Sequence, residues 1–356
     1  MADAERNITT KNNNPFAAIS IAEYRNLMMC RFSFTMALRM LTTVLGWWIY
    51  NLTNDPFAIG LLGLSEVIPA VGLALYAGHV IDVSEKRKLM LICISLYAVA
   101  GILFFVLSTS KTHQYFNNGT IARIIYLIVF CTGVVRSFSG ATFSVLVANI
   151  APRNILQNAI TWNQGMYLSA SVTGHAVGGL LIAHLAISGT LVVIFALLLV
   201  ALVAMWLIRK HPAANERGER KTWDSVKEGL LFVYKTKELL GAISLDLFAV
   251  LFGGAVAMVP VFARDILHIG AEGFGLLNAA SDFGSILIVI WLTLFPLKKK
   301  QGYTLMYAVA GFGICIIIFG LSKLFLLSFI VLMISGMLDG ISVVIRGTIA
   351  QLKTPD

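Results

Sequence analysis

The residues best placed to do chemistry in this 356-residue chain are ionisable and polar groups set inside long apolar stretches: Arg39, Glu66, Arg136, His175, Asp246, Asn278, Asp282 and Asp339. A charge at the middle of a bilayer costs about 2.5–3.5 kcal/mol on insertion scales, so such a group normally faces a partner or a water-filled cavity. Thr35, Arg39, Thr42 and Gly46 fall at helical spacing and form a polar stripe, which either lines a cavity or packs between helices. Gln164, Ser171 and His175 form a second stripe, whose histidine could titrate near neutral pH or stay neutral and hydrogen-bonded. Glu66, three residues before Pro69, is the leading proton-carrying candidate; a structural hydrogen-bond role is the alternative. Asp282 shares a helix face with Asn278. Asp246 lies nearer one end of its stretch, where a solvated acid is cheap, and is expected to be structural.

The elements that must position these groups are membrane-spanning helices. With 58% hydrophobic residues, 13% charged residues and a mean hydropathy of +0.83, the chain has too little polar surface to coat a soluble globule. Stretches of roughly 20 apolar residues, long enough to cross about 30 Å of hydrocarbon, recur along it. Ten are expected, near 32–50, 57–78, 89–109, 121–145, 157–183, 189–208, 240–262, 273–295, 303–322 and 324–346. Residues 1–25 are polar and Asn-rich, so no secretory signal is expected ahead of the first span.

With the amino terminus placed in the cytoplasm, twenty Lys and Arg residues fall in cytoplasmic segments and four outside, while Arg39, Arg136 and Arg346 lie within spans. Basic residues near span ends resist translocation, so this bias sets the orientation. It also accounts for the net charge of +9 as membrane insertion and contact with anionic lipid, with no nucleic-acid partner implied. Cys30, Cys93, Cys131 and Cys315 have no paired spacing, so neither a disulfide framework nor a metal site is expected.

An internal repeat organises the spans. At an offset of 203 residues Gly133-Val-Val-Arg136 aligns with Gly336-Met-Leu-Asp339, and Ala151-Pro152-Arg153 with Thr354-Pro355-Asp356. Glu66 and Asp282 follow similar Gly-Leu-Leu runs, and the basic loops Lys86-Arg87-Lys88 and 298–300 come after them. The plan is a tail over 1–31, a six-helix bundle over 32–208, a cytoplasmic linker over 209–238, and a second bundle over 239–356 that stops after four helices. Taken literally, the repeat predicts two further spans beyond Asp356. Arg136 and Asp339, at equivalent positions with opposite charge, are expected to face one cavity. Spans 3, 6 and 9 carry no charge in their interiors and are suited to face lipid, leaving the others to line a path between two bundles.

Three stretches carry a resemblance. Gly78-His-Val-Ile-Asp82-Val-Ser-Glu-Lys86-Arg87-Lys88 is similar to a G-x-x-x-D-[RK]-x-G-[RK]-[RK] loop, with Val83 and Glu85 departing from it. Arg136-Ser-Phe-Ser-Gly140 is similar to R-x-x-x-G. Ala170-Ser-Val-Thr-Gly174-His175-Ala-Val-Gly178-Gly179 is similar to G-x-x-x-G-P-x-x-G-G, with His175 where the proline stands. Over residues 20–356 the chain thus resembles the major facilitator superfamily, in the branch that includes the enterobactin exporter and macrolide efflux proteins. The resemblance implies an all-α, two-bundle membrane fold with ten of twelve expected transmembrane helices. It also implies a conformational switch at Gly78, Asp82, Lys86, Arg87 and Lys88, and tight packing at Gly174, Gly178 and Gly179.

The expected function is a secondary transporter that exports a small amphipathic compound, of drug or siderophore type, by alternating access. It would be a monomer in the plasma (inner) membrane, with a small molecule and the lipid bilayer as its partners. It would need no cofactor, the proton gradient supplying the energy; the sequence contains no Gly-x-x-x-x-Gly-Lys-[Ser/Thr] loop for a nucleotide. The alternatives are an uptake permease, a non-transporting fragment or an intramembrane enzyme; the last calls for clustered catalytic groups, whereas the six histidines are scattered.

Overall fold

The computed structural model describes residues 15–210, 254–294 and 301–353, together with scattered positions between 231 and 247. All regular structure among them is helical, in keeping with the all-α expectation. The order is α1 (Ala22–Thr53), α2 (Pro56–Gly72), α3 (Ala74–Val83), α4 (Lys86–Leu107), the short α5 (Ser110–Tyr115), α6 (Asn118–Ile150) and α7 (Leu156–Trp206). After residue 253 come irregular turns over 254–266, then α8 (Ala271–Leu294), α9 (Gln301–Leu321) and α10 (Phe325–Lys353). Because α1 begins at Ala22, the stretch expected as a tail to residue 31 already contains its first turns.

Polar residues at helix ends explain where the chain turns. Asn54 stops α1 in the left-handed region (φ 53°), with its N–H bonded to the Tyr50 carbonyl at 2.8 Å. Asp55 then caps α2, its side chain accepting from the Phe57 N–H at 2.9 Å, and Pro56 fills a first-turn position that needs no N–H. Asn117 caps α6 in the same way through the Thr120 N–H. Pro69 lies within α2, and the chain bends by 53° between α2 and α3, so the second expected span is two helices in series.

Among the described residues seven helices are long and apolar enough to cross a membrane, or eight when the bent pair α2–α3 is one span. That is fewer than the ten expected, for two reasons. The fifth and sixth expected spans follow one another without an intervening loop as α7, whose 51 residues, about 76 Å at 1.5 Å per residue, exceed twice a bilayer core and are two helices joined at a kink. Its backbone leaves the helical region at Ala186 (φ 57°, ψ −177°), within the gap expected at 184–188. The seventh, at 240–262, is described only at scattered positions before 248, and its last part, 254–262, forms short turns rather than one long helix; most of the 209–238 linker and the 298–300 basic loop lie outside the described residues.

The larger core joins α1, α4, α6 and α7; Tyr24, fully buried on α1, donates to the Ala159 carbonyl of α7 at 2.5 Å. A second core joins 259–263, α8, α9 and α10 through Phe274, Leu332 and Phe319. The outer faces are apolar: Val99, Ile102 and Leu103 on α4, Val192, Val200 and Val203 on the later part of α7, and Ile314, Ile317 and Leu321 on α9 all stand exposed. Apolar faces of this extent are stable against hydrocarbon, where a helix satisfies its own backbone.

Candidate transport cavity

Small residues bring three helices together around a central cavity. On α7 a methyl added at Gly174 would stand 2.7 Å from the Arg39 Cβ of α1, and one at Gly178 would stand 3.2 Å from the Met40 Cα. Gly179 faces α8, where a methyl would lie 2.6 Å from the Gly275 Cα. The three glycines of the α7 stretch therefore fix two different contacts, with α1 and with α8. Gly133 does the same for α6, whose backbone crosses α2 directly against Glu66 and Pro69.

The cavity, about 730 Å³, is lined by α1, α2, α4, α6, α7, α8 and residues 256–260. This is the size range of small-molecule sites. Its polar wall includes Arg31, Arg39, Glu66, Arg136, Gln164, Tyr167, His175, Asn278, Ser281 and Asp282. Phe34, Leu38, Leu62, Val129 and Phe274 are among its apolar surfaces. Tyr97 is the α4 contribution, and neither the later part of α7 nor α9 adds a lining residue, in line with their apolar outer faces.

Two groupings around carboxylates sit in the wall. Arg136 of α6 donates to Glu66 of α2 at 2.5 Å, with the side chains 53% and 29% exposed, so both remain in contact with the cavity space. Across the cavity, Asp282 of α8 accepts from the Ser171 hydroxyl of α7 and lies 3.7 Å from His175 Nε2. His175 Nδ1 is 2.8 Å from the Thr43 hydroxyl of α1, so this buried ring joins three helices in a chain of polar contacts. The two halves also meet at one end of the cavity: Tyr50 donates to Asp265, Trp47 stacks on Phe274 at 5.4 Å, and Gly46 faces Pro260 and Phe274.

Six of the eight expected site residues, Arg39, Glu66, Arg136, His175, Asn278 and Asp282, line this one space. Asp339 does not. It is exposed on α10, whose inward side is given to the close packing of Gly336 against Ser281 and of Gly340 against Ile288. Asp339 thus stands outside the lining residues but within electrostatic reach of Asp282 in the wall, and the ion-pair partner of Arg136 is Glu66. Asp246 lies outside the described residues.

The expected switch residues lie at the α3–α4 junction. Gly78 is within α3, and a methyl there would meet no atom of the described residues within 4 Å. Lys86 is buried and folds back to donate to the Asp82 and Ser84 carbonyls at 2.8 and 3.0 Å. Arg87 donates to the Trp206 carbonyl at 2.7 Å, tying the loop to the end of α7, while Asp82 and Lys88 are exposed.

Sequence reasoning missed Arg31 and Tyr167. Arg31 was counted with the cytoplasmic tail, although Arg31, Thr35 and Arg39 recur every four residues and so share a helix face. Arg31 lies over the Phe143 and Tyr167 rings at 4.5 and 4.9 Å, and Arg39 donates to the Tyr167 hydroxyl at 2.6 Å.

The family model described as Major Facilitator Superfamily matches residues 27–356. An MFS-type transporter of Bacillus subtilis, YfmI, is 22% identical over 335 residues, covering 88% of this chain and 77% of its own. The enterobactin exporter EntS of Escherichia coli is 23% identical over 348 residues, covering 94% and 78%. Among solved structures, the nucleoside transporter NupG superposes with a TM-score of 0.63 at 16% identity, covering 94% of this chain and 86% of its own. The POT family transporter PepTSo gives 0.65 at 11% identity, covering 93% and 89%. These likenesses establish a shared fold.

Proposed function

The chain belongs to the Major Facilitator Superfamily, and on that premise we propose that it is a proton-coupled exporter of a small amphipathic compound, working by alternating access. The observation that carries this is the cavity between the two halves, part polar and part apolar, with the partly exposed Glu66–Arg136 pair in its wall. A deprotonated Glu66 holds Arg136; a proton on Glu66 releases that charge, so proton and substrate can alternate in one space. His175, Asp282, Ser171 and Thr43 join the halves beside it and are the contacts that a change of conformation must rearrange. The end joined by Tyr50–Asp265 and Trp47–Phe274 is, by the charge bias, the outer one, and on this reading these contacts are the outer gate of the cycle.

Export is favoured over uptake because curated relatives include proteins named as exporters of enterobactin. An uptake permease would run the same cavity in reverse. Cells producing the chain and preloaded with a fluorescent amphipathic dye test the reading: efflux should exceed that of control cells and stop when the proton gradient is collapsed. Efflux that survives the collapse would rule out proton coupling, and gradient-driven accumulation of the dye would rule out export.

A further inference from the structure

The cavity wall carries more cation than its own acids neutralise. Arg31, Arg39 and Arg136 face Glu66 and Asp282. Glu66 is taken by Arg136, and Asp282 is engaged by Ser171 and His175. Among the described residues Arg31 and Arg39 have no carboxylate within 4 Å. Their partners are neutral rings: Arg31 over Phe143 and Tyr167, Arg39 at 5.7 Å over Tyr167 and bonded to its hydroxyl. The Arg31 Nε is buried with no acceptor among the described residues. Two like charges gathered on one tyrosine, with no anion between them, are held against their mutual repulsion.

We propose that Arg31, Arg39 and Tyr167 form a subsite for the carboxylate of an organic acid whose apolar body lies against the adjoining cavity wall. The chemistry is suited to it. Guanidinium groups recognise a carboxylate through paired, charge-assisted N–H donors. Tyr167 accepts from Arg39 and so keeps its own phenolic proton to donate to the same anion. Packing on the rings fixes both cations before the ligand arrives, which lowers the cost of ordering them. Phe34 and Leu38, lining the cavity from the same helix as both arginines, supply an apolar surface beside the charge.

The subsite rests on the transporter reading above but is tested apart from it. The full chain, purified in detergent, is titrated calorimetrically with 2-naphthoate, 2-naphthamide and 2-naphthylmethylammonium, which share a body and differ in charge. The acid should bind about tenfold or more tighter than the amide, and the ammonium weakest. Arg39→Gln should bring acid and amide close to equal while leaving the amide unchanged, and Arg39→Lys should restore part of the preference. Arg31→Gln and Tyr167→Phe give independent checks should one variant fold poorly, the amide affinity reporting an intact cavity. Equal binding of acid and amide, no binding of the acid, preference for the ammonium, or a preference that outlasts both Arg→Gln changes would overturn the subsite. Dye efflux in cells separates the two readings. Equal binding with normal efflux removes the subsite and keeps the exporter, while an acid preference without gradient-driven efflux does the reverse.

Discussion

Gly179 of α7 and Gly275 of α8 meet backbone to backbone, each so close that a methyl on either would stand 2.6 Å from the Cα of the other. The two halves of the molecule meet here backbone to backbone, and a methyl on Gly275 would also stand 2.7 Å from the His175 carbonyl oxygen. Gly179→Ala should force α7 and α8 apart, costing about 1–3 kcal/mol of stability and stopping transport. Gly178→Ala, whose added methyl meets the Met40 Cα at 3.2 Å, should be milder, and Gly140→Ala, with nothing within 4 Å, neutral. Thermal unfolding of the three purified variants should give that order; equal effects would show that the contact does not matter.

Neutralising the Glu66–Arg136 pair should separate function from folding. Both side chains contact the cavity space, and a solvated ion pair contributes only about 0.2–1 kcal/mol. Glu66→Gln and Arg136→Gln should therefore leave folded yield near that of the parent while reducing gradient-driven efflux by about tenfold, the 1.4 kcal/mol scale of one lost charge-assisted contact. Efflux and yield falling together would make the pair structural.

Asp339→Asn should leave efflux at the parental level. Its side chain is exposed on α10 and, unlike that of Arg136 at the aligned position of the repeat, is not among the lining residues, although it stands within electrostatic reach of Asp282 in the wall. A loss matching that of Arg136→Gln would return Asp339 to the pathway.

The Tyr50–Asp265 bond holds the closed end, joining α1 to the turns before α8. Removing it with Tyr50→Phe or Asp265→Asn should raise the share of molecules open at that end. A cysteine introduced at Thr42, which lines the cavity, should then react faster with a membrane-impermeant maleimide added from that side. An unchanged labelling rate would mean that the Trp47–Phe274 stack closes the end without help.

Most of the site was legible because a charge inside an apolar stretch is conspicuous: Arg39, Glu66, Arg136, His175 and Asp282 were each found on that ground and line one cavity. Partnership was less legible. The repeat paired Arg136 with Asp339 through symmetry of position, but the bond is with Glu66, because Gly133 brings the α6 backbone against α2 at that residue. Arg31 was hidden by its place near the start of a span, where a basic residue ordinarily marks the cytoplasmic edge. Tyr167 gives no such signal in a sequence rich in aromatics.

What the sequence by itself determined is the solvent and the building unit. Its apolar stretches require lipid around them, and in lipid a backbone must bond to itself, which makes the elements helices and sets their length. The small-residue run Gly174–Gly179 further required that something pack closely on α7. Only the tertiary structure decided what: α1 against Gly174 and Gly178, α8 against Gly179. It also decided which charges meet across the resulting space, since an ion pair between distant residues depends on how two helices rotate and cross, and hydropathy along the chain carries no record of that angle.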